Sequence, residues 1–278
     1  MIDLKSYARE ALRSVRVESK SNLFWWQGPP LNFGDWIGPY IFKELSGLSP
    51  THKKPSNKSL TSVYVTVGSL ASWFCEDSIV WGSGIIDRDQ RFWKPREVCA
   101  VRGAYTRGRF LDQGFDCPEI YGDPAILLSD LYNPDVAKQY KLGVIPHYCN
   151  LAEATSFFSK YDAVNVIDVR TNNVESIVQE LMKCEVILSS SLHGLILGNA
   201  YSIPSAQVEF ATLLVGDGVK FLDYFSAFCI EPPVPLTINN STGISELFDY
   251  VRSYPQPNTK KLMTGLYRSC PFNSNKLV

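Results

Sequence analysis

Short apolar runs alternate along this chain with longer segments whose apolar residues recur at helical spacing. SVYVTVGS (62–69), SIVWGSGI (78–85) and EVCAVRG (97–103) end in small residues, and their β-branched and aromatic content predicts strands. LFWWQ (23–27) predicts a short buried strand before them. IGPYIFKELSG (37–47) predicts a helix stopped by Gly47, AYTRGRFLDQG (104–114) another, and residues 4–17 a helix ahead of both. THKKPSNKS (51–59) is polar and reads as a loop, and EIYGDPAILL (119–128) as a strand entering a turn.

The rhythm then restarts. KLGVIPHY (141–148), AVNVIDV (163–169), EVILSSS (185–191) and PSAQVEF (204–210) predict strands. LAEATSFFSKY (151–161), NNVESIVQELMKC (172–184) and LHGLILGNAYS (192–202) predict helices, the second capped by Asn172 or Asn173. Strands alternating with helices of this length predict βαβ units, parallel sheets and an α/β fold. YNPDVAKQYK (132–141) precedes the restart, so two domains are expected, 1–135 and 136–278. The tail offers extended EPPVPLTINN (231–240) and two helices, GISELFDYVRSY (243–254) and TKKLMTGLYRS (259–269). Packing of the last helix back across both domains would suit this ending. No internal sequence repeat is visible.

Composition narrows the partners. A net charge of -1 over 278 residues argues against nucleic acid or an anionic membrane as the main partner, since either favours a basic surface. No stretch approaches the roughly 20 apolar residues of a membrane span, so at most peripheral membrane contact is expected. The seven cysteines are scattered without a C-x-x-C pair, and residues 1–20 are charged throughout, which together suit a soluble cytoplasmic protein with reduced thiols.

The chemistry-bearing residues fall at predicted strand ends, where open α/β sheets bind ligands. NFGDW places Asn32, Gly34 and Asp35 between a strand and a helix. Asp35 suits either a helix first turn or a general base for a hydroxyl. Gly68-Ser69 and Gly82-Ser83-Gly84 would let backbone approach a ligand closely. Arg102 follows an apolar strand and offers a donor fork for carboxylate or phosphate. In SSSLHG, His193 sits among serines and beside Gly194 where a strand gives way to a helix, a natural anion site with a proton donor or acceptor. His147 ends the strand VIPHY, and His52 lies in a polar loop. No histidine falls at metal-ligand spacing, so no metal is expected. Trp25, Trp26 and Trp36 suit either apolar sugar faces or the core.

In order, NFGDW, WGSGI, AVRGAYTRGRF, YGDPAILL, VIPHY, SSSLHGLILGNAYSIPS and VKFLDYF (219–225) resemble the polysaccharide pyruvyl transferase family. The resemblance implies two Rossmann-like domains facing across a cleft, as in the GT-B class of glycosyltransferases. It also implies transfer of pyruvyl from phosphoenolpyruvate to two hydroxyls of one sugar in a glycan or lipid-linked glycan precursor, with release of phosphate. Phosphoenolpyruvate is a co-substrate, and no further cofactor is implied. By position, Arg102 falls on a donor-binding arginine, Leu192 and His193 on the L-H-G motif, and Lys220 on a lysine opening a late helix. Ser191 stands where many members carry arginine, so Lys220 or backbone amides near Gly194 must meet that part of the donor's charge. His193 becomes the expected general acid and Asp35 the base, with Asn32, Gly34, Trp36 and Gly84 on the acceptor side. The alternatives are a nucleotide-sugar glycosyltransferase of similar fold, which would release a nucleotide, and a sugar-binding module without turnover.

Overall fold

The continuous apolar runs become parallel strands, of which β1 (Asn22–Phe24) and β3 (Val63–Val65) are buried throughout. The computed structural model describes residues 21–272, and the helix expected over 4–17 lies outside them. One sheet holds β1 (Asn22–Phe24), β2 (Thr51–His52), β3 (Val63–Val65), β4 (Ser78–Trp81) and β5 (Glu97–Ala100). The other holds β6 (Tyr140–Ile145), β7 (Val164–Val166), β8 (Cys184–Ser189), β9 (Ser205–Glu209) and β10 (Leu236–Thr237). The first has the order β2-β1-β3-β4-β5 and the second β10-β9-β8-β6-β7. Numbered within its own half, each sheet therefore runs 2-1-3-4-5, so the halves repeat in topology although not in sequence. The fold is α/β with two Rossmann-like halves.

Local chemistry explains the helices. α1 (Phe33–Ser46) ends at Gly47, whose left-handed backbone (φ 72°) lets its N–H reach Lys43 O at 2.9 Å. α2 (Ala104–Asp112), α3 (Leu128–Leu131) and α4 (Leu151–Phe158) follow. α5 (Val174–Met182) buries Val174, Ile177, Val178 and Leu181, and Asn173 is the cap, its side chain accepting from Ser176 N at 3.0 Å. α6 (Leu192–Ala200) is buried on every side. α7 (Val219–Ser226), α8 (Ile244–Ser253) and α9 (Lys260–Ser269) complete the described chain.

Several expectations shift. Thr51–His52 pairs with β1 as an edge strand instead of forming a loop, because backbone pairing there needs no apolar pattern. EIYGDPAILL gives only a single bridge, Val101 to Tyr121, before a 3-10 helix at Pro124–Leu127. Pro124 has no N–H with which to extend a ladder. Asp123 caps that turn, accepting from Ala125 N at 3.0 Å.

The two halves are fused as well as facing. One buried core runs from Phe33 and Ile37 through Ala125 and Ile126 to Leu195 and Ile196. α7, from the second half of the sequence, docks on the first half. Its Val219 joins the core of Phe24, Val63 and Phe110, and Ser226 Oγ accepts from Ala104 N at 2.8 Å. α9 also returns to the first sheet, where Trp81 Nε1 donates to Leu266 O at 3.1 Å. Beyond it Phe272 packs on Phe42 and Trp81 at ring separations of 4.7 and 5.2 Å. α7 and α9 thus follow the expected division at 135/136 in sequence and pack on elements that precede it.

Candidate active site

In each sheet the strand order reverses beside its first strand, and ligands of open α/β sheets bind beyond the strand ends at such a point. Here the two points converge. A cavity of 270 Å³ is lined from the first half by Trp26, Asn32, Asp35, Ser69, Leu70, Ser72, Trp73 and Ile86. From the second half come His147, Ser191, Leu192, His193 and Lys220. The first turn of α1 is tied to the opposite half, because Phe33 N donates to Val169 O at 2.9 Å.

Asp35 occupies that first turn, and Asn32 Nδ2 donates to its Oδ2 at 3.1 Å. Burial outweighs this bond and lifts the carboxyl to about 7. Asp35 thus combines a place in the helix first turn with a proton affinity raised towards neutrality.

His193 lies one residue into α6. Burial, then the nearby Arg102 and Lys220, depress it to about 3, so the imidazole is neutral. Gly34 is packed against it: a Cβ there would sit 2.2 Å from Nδ1. The glycine of NFGDW, expected on the acceptor side, therefore makes room for the histidine of SSSLHG. Of the three serines, two are committed to the scaffold. Ser189 Oγ donates to Ile145 O and Ser191 O, each at 2.7 Å, and Ser190 Oγ to Asn150 Oδ1 at 2.9 Å. Only Ser191 faces the cavity, at the N-terminus of α6, where backbone amides and the helix dipole favour an anion.

Lys220 reaches the cavity from α7. Burial, then Arg102, lower it to about 8. No carboxylate among the described residues forms an ion pair with it. It also borders a neighbouring cavity of 310 Å³ lined by the end of β9 and the loop that follows it. His147 is held neutral, at about 4, by burial and by Lys220.

Arg102, expected to bind the donor carboxylate, has each of its three side-chain nitrogens engaged within the protein. Its side chain is fully buried behind Ser69. Nε donates to Asp223 Oδ2 at 2.9 Å, Nη1 to Ser69 Oγ at 2.7 Å and Nη2 to Ile85 O at 2.5 Å. Asp223 also accepts from Thr106 N and Oγ1 at 2.8 and 2.7 Å, so the cluster bolts α7 to α2 and hangs Lys220 over the cavity. Gly84, expected on the acceptor side, makes room for this arginine, since a Cβ there would meet Arg102 Cζ at 2.5 Å. Gly194 packs on Ser189 and Ile145. Trp36 meets Trp25 edge-on at 5.7 Å, outside the lining. The indoles that do line the cavity are Trp26 and Trp73, 5.8 Å apart.

Sequence reasoning missed Trp73, which has no motif around it, and Asp123. The signal for Asp123 was present: an acid following Gly122 and preceding Pro124 in a segment otherwise apolar. Its Oδ2 lies 3.9 Å from His193 Nε2.

The second half thus lines the cavity with a cation and a helix N-terminus, and the first half lines it with an acid and two indoles, in an α/β protein of two Rossmann-like halves. The family model described as polysaccharide pyruvyl transferase matches residues 67–206, half of the chain, and the chain belongs to that family. It is 33% identical over 171 residues to an uncharacterized protein of Acanthamoeba polyphaga mimivirus, covering 59% of this chain and 60% of that one. It is 26% identical over 197 residues to the succinoglycan biosynthesis protein ExoV of Rhizobium meliloti, covering 67% of this chain and 58% of that one. The chain thus spans about three fifths of the length of these relatives. A crystal structure of a functionally uncharacterized Klebsiella pneumoniae protein aligns with a TM-score of 0.44 at 14% identity, over 86% of this chain and 100% of the other. No described helix is long and apolar enough to cross a membrane.

Proposed function

We propose that this chain transfers pyruvyl from phosphoenolpyruvate to two hydroxyls of a sugar in a glycan or glycan precursor, forming a cyclic ketal and releasing phosphate. The arrangement is then GT-B-like in use, with donor and acceptor held by opposite halves. The observation that carries this reading is Lys220, a half-buried cation that forms no ion pair with a carboxylate among the described residues and lines the same cavity as the N-terminus of α6 and Asp35.

The donor brings a carboxylate and a phosphate. Lys220, the amides opening α6 and the Ser191 hydroxyl meet that charge. Trp26 and Trp73 offer faces to the apolar side of the acceptor sugar. Two hydroxyl protons leave the acceptor. One ends on the methylene carbon of the donor, which becomes methyl, and the other leaves with phosphate. Two C–O bonds form at C2 and one C–O bond to phosphate breaks. Asp35, titrating near neutrality, takes the hydroxyl proton, and His193 handles the proton at the phosphate side. Incubation with phosphoenolpyruvate and a panel of lipid- or nucleotide-linked saccharides should yield inorganic phosphate and a pyruvylated product by mass spectrometry. Nucleotide release from a nucleotide sugar, without phosphate from phosphoenolpyruvate, would overturn the proposal.

The role of Asp35 has a pH signature. As a base it must be ionised, so kcat/KM should rise through pH about 7, and Asp35→Asn should abolish that rise. Stability runs the other way. The folded pKa of about 7 exceeds the unfolded 3.8, so the folded state binds the proton more tightly and Asp35's stabilising contribution is lost as pH rises towards 7. Melting wild type and Asp35→Asn at pH 5 and pH 8 should show the variant gaining on wild type at the higher pH. An unchanged difference would place the carboxyl in ordinary solvent.

A further inference from the structure

We infer that Asp123 orients His193, holding its N–H on Nε2 and presenting the Nδ1 lone pair to the cavity. The catalytic meaning of this pair rests on the pyruvyl-transfer reading. The pair itself rests on geometry. His193 Nε2 and Asp123 Oδ2 are both buried, and neither has a hydrogen-bond partner among the described residues. A buried polar atom without a partner is costly, so such atoms are rarely left alone. These two lie 3.9 Å apart, about 1 Å beyond hydrogen-bond length. A small turn of the ring would satisfy both at once.

The acid is placed for the task. Its other oxygen, Oδ1, is fixed by Ala125 N, which leaves Oδ2 for the ring. The backbone before it is anchored where Gly122 N donates to Val101 O at 3.0 Å. Behind it, Pro124 packs so closely on Gly82 that a Cβ there would lie 2.2 Å from Pro124 Cδ. Asp123 therefore has little freedom to leave. Nε2 has no accessible surface, so the exposed part of the imidazole, 11% of the side chain, belongs to its other atoms. Gly34 packs beside the Nδ1 edge, where any side chain would collide with it, a Cβ falling 2.2 Å from Nδ1. With the proton fixed on Nε2, the atom facing a bound donor is an acceptor. It becomes a donor only when protonated, and the adjacent carboxylate then stabilises the imidazolium. Asp123 is a positioning residue in this scheme, because it touches the ring and not the substrate.

The test reads the tautomer directly. Histidine-labelled ¹⁵N protein is measured by long-range ¹H–¹⁵N correlation, with His52→Gln and His147→Gln variants assigning the signals. Wild type should show neutral His193 protonated on Nε2. In Asp123→Asn the oxygen can still accept from Ala125 N while the carboxamide donates to Nε2. The proton should then move to Nδ1, and kcat should fall by about 10²–10⁴-fold with little change in donor KM. Protonation on Nδ1 in the wild type, or an unmoved tautomer in the variant, would overturn the pair. The wild-type spectrum decides even if the variant fails to fold. The spectrum needs no turnover, so an Nε2–H signal in a protein inert to phosphoenolpyruvate would retire the proposed function and leave the pair standing.

Discussion

Replacing His193 by alanine should lower kcat by about 10²–10⁴-fold, the range for loss of a general acid or base. The ring borders the cavity, and its loss leaves Asp123 Oδ2 without the partner inferred above, at a cost of about 1 kcal/mol. The melting midpoint should therefore move by roughly 2–4 °C, the shift expected from about 1 kcal/mol in a chain of this size. Turnover of phosphoenolpyruvate to phosphate, together with a thermal melt of the same sample, measures both. A histidine that only filled the core would give the reverse pattern, a lower melting midpoint with turnover per folded molecule intact. That result would remove His193 from the chemistry.

Arg102→Ala should destabilise the fold by about 3–5 kcal/mol, the cost of leaving one partner of a buried ion pair alone. Asp223 would keep its bonds from Thr106 but lose the only cation paired with it among the described residues, and both side chains of the pair are fully buried. Because that cluster fastens α7 to α2, donor affinity should fall as a consequence, through a displaced Lys220. Denaturant unfolding of wild type and variant gives the stability change, and donor KM follows the second effect. A variant as stable as wild type with only donor KM raised would return Arg102 to the donor itself, where sequence position had put it. Arg102→Lys separates the two further, since lysine cannot reproduce the three donor directions now used by Asp223, Ser69 and Ile85.

The difference between those two residues shows what kind of information each link of the chain carries. His193 and Asp35 were legible because each follows an apolar run at a strand end, and in parallel sheets that position opens onto a ligand site whatever the rest of the fold does. The alternation of strands and helices was legible for the same local reason: strands buried on both faces read as unbroken apolar runs, and helices such as α5 show their buried stripe. Arg102 also follows an apolar run, yet its side chain turns away. A residue 121 positions later, Asp223, supplies the countercharge, and no local pattern records a partner at that distance.

Short range therefore determined the elements, their parallel arrangement and which strand ends could bear chemistry. Long range decided the rest. The edge strand at Thr51–His52 is made by backbone bonds that leave no apolar signature. Gly34 and Gly84 looked like openings for a ligand, and the structure fills them with His193 and Arg102. Asp123 acquires meaning only because α6 brings Nε2 of His193 to within 3.9 Å of it. Lys220 reaches the cavity only because α7 crosses to the other half, where Val219 is buried among Phe24, Val63 and Phe110. Burial and countercharge are properties of neighbours in space. They set the proton affinities of Asp35, His193 and Lys220, and the order of residues along the chain does not contain them.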